Sequence, residues 1–149
     1  MIKKISAILL VFIWMILIFS FSNQNGDDSQ GLSDQVITGV ADLITDIDVD
    51  SPSMDAIVDK YSFIVRKLAH FFVYFILGIL IMNALYIWGI RRCTTIIAAS
   101  LVILYAITDE VHQFFVGGRS SQISDVLLDS SAGMLAIYLY HKIIYLKGR

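Results

Sequence analysis

The stretch "TDEVHQFFVGGRSSQISDV", residues 108–126, carries Asp109, Glu110, His112, Gln113, Arg119 and Asp125. A second group, Arg66, Lys67 and His70, opens an apolar run further upstream, and Asp129 stands four residues beyond Asp125. Carboxylates and imidazoles can move protons, while Lys and Arg can hold a phosphate or offset developing negative charge. Glu110 and His70 are therefore the candidate acid–base groups. Lys67, His70, Glu110, Gln113, Arg119, Asp125 and Asp129 are the candidate ligand-binding groups. His70, Glu110 and His112 could also ligate a divalent ion, a reading that their spacing neither demands nor excludes. No HExxH stretch is present, and the lone Cys93 rules out an internal disulfide and a cysteine-based zinc site. No cofactor-binding motif occurs, and no cofactor is expected.

Helical spacing sets which of these groups share a face. Lys67 and Arg66 lie three and four residues before His70, and Tyr74 lies one turn deeper. Glu110 and Gln113 share one face, Asp109 and His112 another. Both faces cannot point at lipid, and the expectation is that Glu110 faces inward with Gln113 orienting its carboxylate. Asp125 and Asp129 share a face and repel unless a cation, a proton or a basic residue separates them. Arg119 or Lys67 could serve Asp129, which lies a turn inside an apolar run. Ser124 or Asp125 can N-cap the last helix. Gly117-Gly118 permits a tight turn before Arg119. Ala132, Gly133 and Ala136 offer a face for close helix packing.

The elements that must position these groups are membrane helices. Of 149 residues, 57% are hydrophobic and 16% charged, and the mean hydropathy is +0.74. A soluble domain of this size could not bury so much apolar surface. Four apolar runs, at about 5–21, 68–90, 93–108 and 126–146, are long enough or nearly long enough to cross a bilayer. A cleaved signal peptide is the other reading of the first run. The expected fold is all-α, an integral membrane four-helix bundle forming one domain over 1–149. Lys3, Lys4, Arg91, Arg92, Lys142, Lys147 and Arg149 map to one side, which the positive-inside rule makes cytoplasmic, with both termini. The outer loop, 22–65, holds nine Asp. Within it, Leu32, Val36, Val40, Leu43, Ile44 and Ile47 share one helical face. Met54, Ile57, Val58, Tyr61, Ile64, Val65 and Leu68 share another, in a helix that Ser51 can cap with Pro52 at its first position. Their polar faces are acidic, so anionic headgroups would repel them and packing over the outer end of the bundle is expected. No basic patch with interleaved aromatics occurs, so nucleic acid is not an expected partner.

Three stretches in this order, "SFSNQNG" after the first apolar run, then "RKLAHFFVYFILGIL", then "TDEVHQFFVGGRSSQISDVLLDSSAG", resemble the VanZ-like family of small multi-span bacterial membrane proteins. The resemblance covers nearly all of the chain except the acidic loop and the tail. It implies a multi-pass protein of the bacterial cell membrane, and its namesake is associated with teicoplanin resistance. The family pattern falls on Lys67, His70, Glu110, Gln113, Arg119, Asp125 and Gly133. Gly117 stands where proline is frequent, and Asp129 where asparagine is also common.

Three functions are consistent with these residues. The bases could bind an anionic envelope ligand, a lipid phosphate or a peptidoglycan-precursor phosphate, and so modulate glycopeptide susceptibility. Glu110 or His70 could act on such a lipid as the acid–base group of an enzyme, although no nucleophile is evident. The cluster could also be a structural network that fixes helix packing.

Overall fold

A computed structural model describes residues 1–24, 26–44, 52–116 and 122–147. They form five helices: α1 (Ile2–Ser22), α2 (Gly26–Ile44), α3 (Pro52–Ile87), α4 (Thr94–Phe114) and α5 (Ile123–Lys147). No strand occurs among the described residues. By length and apolar composition, α1, α3 and α4 are able to cross a membrane. The last helix, α5, has 25 residues, but Asp129, Ser130, Ser131 and the His141-Lys142 pair dilute its apolar run.

The expected loop helix and second span are one continuous element, since α3 runs for 36 residues. Pro52 is its first residue, where the missing N–H costs nothing. The proposed Ser51 cap lies outside the described residues. No Gly or Pro interrupts the chain between Pro52 and Gly78, so the helix continues through the change from acidic to apolar sequence. At 1.5 Å per residue it spans about 54 Å, well beyond a hydrocarbon core of about 30 Å. Its first part therefore projects past the bilayer, and α2 lies against it, with Ser62 Oγ donating to Asp34 Oδ1.

The face that α2 turns to α3 differs from the expected one. Ser33, Ile37 and Ala41 are buried, whereas Leu32, Val36, Val40 and Leu43 are exposed, Leu43 at 84%. Ser33 and Ala41, small side chains on either side of Ile37, let the two helices approach closely, which leaves the bulkier stripe pointing outward. Residues 45–51, with Ile47, lie outside the described residues. In α3, Met54 and Ser62 face inward while Tyr61, Ile64 and Leu68 are exposed. The amphipathic expectation for that segment therefore holds only in part.

The most extensive packing is between α3 and α5. A Cβ on Gly78 would lie 2.6 Å from the Gly133 carbonyl oxygen, and one on Gly133 would lie 2.4 Å from Val102 Cγ1. Ala132 and Ala136 are buried beside this crossing, so the expected small-residue face is a contact surface. Tyr74, Leu77, Ile81, Met82, Ala98, Val102 and Ile137 complete the core.

Polar side chains pin the helices at three levels. Trp14 Nε1 donates to the Val73 carbonyl at 2.9 Å, Tyr105 Oη to the Met15 carbonyl at 2.6 Å, and Tyr140 Oη to Asn83 Oδ1 at 3.1 Å. The end of α3 closes on Gly89, at φ +82°, with Ile90 N–H bonded to the Leu85 carbonyl. This is a Schellman-type stop that glycine adopts without strain.

Candidate functional site

The first and third helices meet at one end of the bundle, where Trp88 Nε1 donates to the Lys4 carbonyl and the Lys4 ammonium lies over the Trp88 ring. The polar residues singled out in the sequence gather at the opposite end. Three helices supply them. From α3 come Lys67 and His70, from α4 come Asp109, Glu110 and Gln113, and from α5 come Asp125 and Asp129.

The bases of α3 and the carboxylates of α5 match rung by rung. Lys67 Nζ donates to Asp125 Oδ1. One turn deeper, His70 Nδ1 lies 3.5 Å from Asp129 Oδ2. A three-residue step on one helix thus faces a four-residue step on the other, and each carboxylate receives its own partner. This resolves the repulsion expected between Asp125 and Asp129. The partner of Asp129 is His70 rather than Lys67 or Arg119. Because α5 starts at Ile123, Ser124 and Asp125 lie in its first turn rather than at its cap. There Asp125 also gains from the positive end of the helix.

In α4, Asp109, Glu110 and Gln113 are all buried, each less than a tenth exposed. Gln113 Nε2 donates to Asp109 Oδ2 at 3.2 Å, so it orients Asp109 rather than Glu110. The Glu110 carboxylate instead accepts the Gln122 backbone N–H at 2.5 Å, tying α4 to the start of α5. The four-residue spacing of Asp109 and Gln113 carries this signal in the sequence, where it competes with the three-residue spacing of Glu110 and Gln113. His112 turns the other way, toward α1. Its ring lies 4.4 Å from that of Phe19, and Nε2 is 3.3 Å from Asn23 Oδ1.

Further buried polar groups complete the cluster. The Tyr74 hydroxyl is buried and faces Asp109 and Asp129. Asp109 Oδ1, Asp129 Oδ1, Ser130 Oγ and Ser22 Oγ are also buried without a hydrogen-bond partner among the described residues. Buried polar atoms are almost always satisfied, so orphans concentrated at one end of a helix bundle mark a site that can take up more hydrogen bonds. Next to them is a cavity of about 170 Å3, lined by Ser22, Gln24, Arg66, His70 and Asp109 together with apolar residues such as Ile18, Phe21 and Val73. Arg66 forms no ion pair among the described residues, which sets it apart from Lys67 and His70.

With His70 facing α5 and His112 facing α1, the divalent-metal set of His70, Glu110 and His112 does not converge. No group of three or more His, Cys, Asp or Glu among the described residues has metal-site geometry. Arg119, Gly117 and Gly118 lie outside the described residues, so their expected roles rest on the sequence alone.

Helices able to cross a membrane, with a buried polar cluster at one end of their bundle, define a multi-pass membrane protein. The chain belongs to the VanZ/LLP1 family, whose model matches residues 7–145. Comparison with curated proteins and with solved structures gives no match.

Proposed function

We propose that this protein binds an amphiphile with an anionic headgroup at the polar end of its bundle and thereby modulates glycopeptide susceptibility of the teicoplanin type. The observation that carries this reading is the cavity beside α1 and α3, where Arg66 has no carboxylate partner among the described residues and stands above apolar walls. A cation in a partly dry pocket attracts an anion far more strongly than one in water. Lys67 and His70 face Asp125 and Asp129, so in this reading Arg66, which has no ion pair among the described residues, takes the phosphate. Its neighbours are positioned by those pairs, and Arg119 is a further candidate to close over the ligand.

In this reading α5 is a fourth span, the basic end is cytoplasmic, and the site lies at the outer face of a bacterial cell membrane. Lys3, Lys4, Arg91, Arg92 and Lys142 on one side and the acidic segment 27–59 on the other support that orientation. The envelope ligand is a lipid phosphate or a lipid-linked peptidoglycan precursor.

Deletion and re-expression test the reading. The wild-type gene should shift teicoplanin susceptibility, and Arg66→Gln should abolish that shift while the protein persists in the membrane at normal level. An unchanged phenotype in Arg66→Gln overturns the proposed role of the cavity. Loss of the protein itself in every charge variant favours a purely structural network instead.

Acid–base catalysis on the same ligand is a second reading, favoured by one observation. His70 lines the cavity and is backed by the buried Asp129, an arrangement that orients an imidazole for proton transfer. Turnover of a labelled lipid precursor by the purified protein, lost in His70→Gln, would establish it.

A further inference from the structure

A second cavity, of about 430 Å3, lies deeper in the bundle and is almost entirely apolar. It is lined by α1 (Ile8, Val11, Met15), α3 (Leu77, Ile81, Leu85) and α4 (Leu101, Tyr105), among others. The same three helices line the polar cavity, through Ile18 and Ser22, Arg66 with His70 and Val73, and Asp109.

The residue numbers show that each helix presents one unbroken stripe to both spaces. On α1 the stripe is 8, 11, 15, 18 and 22, and on α4 it is 101, 105 and 109. On α3 it is 66, 70, 73, 77, 81 and 85. Steps of three and four keep residues on one side of a helix, so the two cavities follow one another along the same sides of the three helices and together outline one groove. From Arg66 to Leu85 the groove follows α3 for about 28 Å at 1.5 Å per residue, comparable to the hydrocarbon core of a bilayer at about 30 Å. The bonds from Trp14 to Val73 and from Tyr105 to Met15 hold α1 against α3 and α4 near the junction. Packing between α1 and α4 is otherwise sparse.

From this geometry we infer that the groove holds one lipid molecule, its anionic headgroup at Arg66 and a single long hydrocarbon chain running past Leu77 toward Leu85 and Leu101. The inference deepens the proposed function and rests on it, because it assigns the chemical class of the ligand bound at the polar cavity. Charge complementarity selects the headgroup, since Arg66 is a cation at one end with no ion pair among the described residues. The apolar lining selects the chain, since a soluble phosphate would leave the deeper space unfilled. The chain also gains a dry, shaped contact that neighbouring bulk lipid does not offer.

Purified full-length protein in dodecyl maltoside, incubated with octyl or hexadecyl phosphate and examined by native mass spectrometry, tests this. Hexadecyl phosphate should be retained at roughly tenfold lower concentration than octyl phosphate, because its extra methylenes fill the deeper space while the dodecyl maltoside micelle offsets most of their gain from leaving water. Ala84→Trp, which projects a ring into the deeper space, should remove the advantage of the long chain and leave octyl phosphate binding intact. A hexadecyl phosphate bearing a mid-chain diazirine should crosslink to residues 8–15, 77–85 or 101.

Equal retention of both probes, or crosslinks confined to lipid-facing positions such as Phe72, Leu127 and Leu135, overturns the inference and leaves the headgroup site standing. Binding of neither probe overturns both. A dimer that Ala84→Trp dissociates would show that a second copy fills the groove, and would likewise overturn the inference. If Ala84→Trp does not accumulate, Leu101→Trp approaches the same space from α4.

Discussion

The two ends of this bundle use charge in opposite ways. At one end the cations meet aromatic rings: Lys4 lies 5.4 Å from the Trp88 ring centroid, and the Arg91 guanidinium lies 3.4 Å from that of Tyr86. Trp88 and Arg91 are exposed, and no carboxylate pairs with these bases among the described residues. At the other end, Lys67 and His70 each have a carboxylate partner, Arg66 has none among the described residues, and the carboxylates are buried or nearly so. An exposed cation over a ring is weakly held and freely hydrated. A buried carboxylate must be answered by a partner within a few ångströms. The first arrangement suits anchoring at a membrane surface. The second suits a site in which groups are held in fixed positions until a ligand meets them.

This contrast can be broken experimentally, and the largest effect should come from reversing a charge at the buried end. Asp125→Lys sets two ammonium groups against each other and should cost about 3 kcal/mol, read as a large drop in thermal stability of the detergent-purified protein. The exchanged pair Lys67→Asp with Asp125→Lys should recover a substantial part of it. No loss in the single variant would mean that the polar end is no more demanding than the basic end.

A smaller effect is expected from Glu110→Ala. It removes the acceptor of the Gln122 N–H and should cost about 2 kcal/mol. Because the bond ties α4 to the start of α5, proteolysis at the connection between them should accelerate as well. Unaltered cleavage would sever the link drawn between Glu110 and the geometry of that turn.

At the basic end, Trp88→Ala should cost about 1 kcal/mol, from the lost contact with Lys4 and the lost bond to its carbonyl. Smallest of all, Arg91→Gln should change stability by less than about 0.5 kcal/mol. Its consequence should appear in orientation instead. Reporter fusions at the C-terminus should show a mixed population once further basic residues of the same end are also neutralised. A strong unfolding effect from Arg91→Gln would erase the distinction between the two ends.

Much of the architecture is legible in the sequence because hydropathy and helical period are local properties. The apolar runs near 5–21, 68–90 and 93–108 correspond to parts of α1, α3 and α4, and the residues that later gather at one end are visible as polar punctuation of those runs. What misleads is the choice between faces. Leu32, Val36, Val40 and Leu43 form the most apolar stripe of α2, yet Ser33, Ile37 and Ala41 are the residues buried. In a membrane protein an apolar stripe can point at lipid as readily as at protein, so hydrophobicity alone does not choose the buried side. Asp109 is missed for a related reason. It shares a face with His112 by spacing, but the helix is buried broadly enough at this end to enclose Asp109, Glu110 and Gln113 together.

The sequence by itself determined that this is a membrane protein of helices, which family it resembles, and which acids and bases punctuate its apolar runs. Those properties depend on composition and on residues close in the chain. Only the tertiary structure decided that His70 answers Asp129 and that Lys67 answers Asp125. It also left Arg66 without an ion pair among the described residues, beside one cavity and in line with a second, apolar one between the same helices. Such pairings depend on contacts of a few ångströms between helices. Those contacts are set by where Gly78 and Gly133 let α3 and α5 touch, a distance that no spacing along one chain segment encodes.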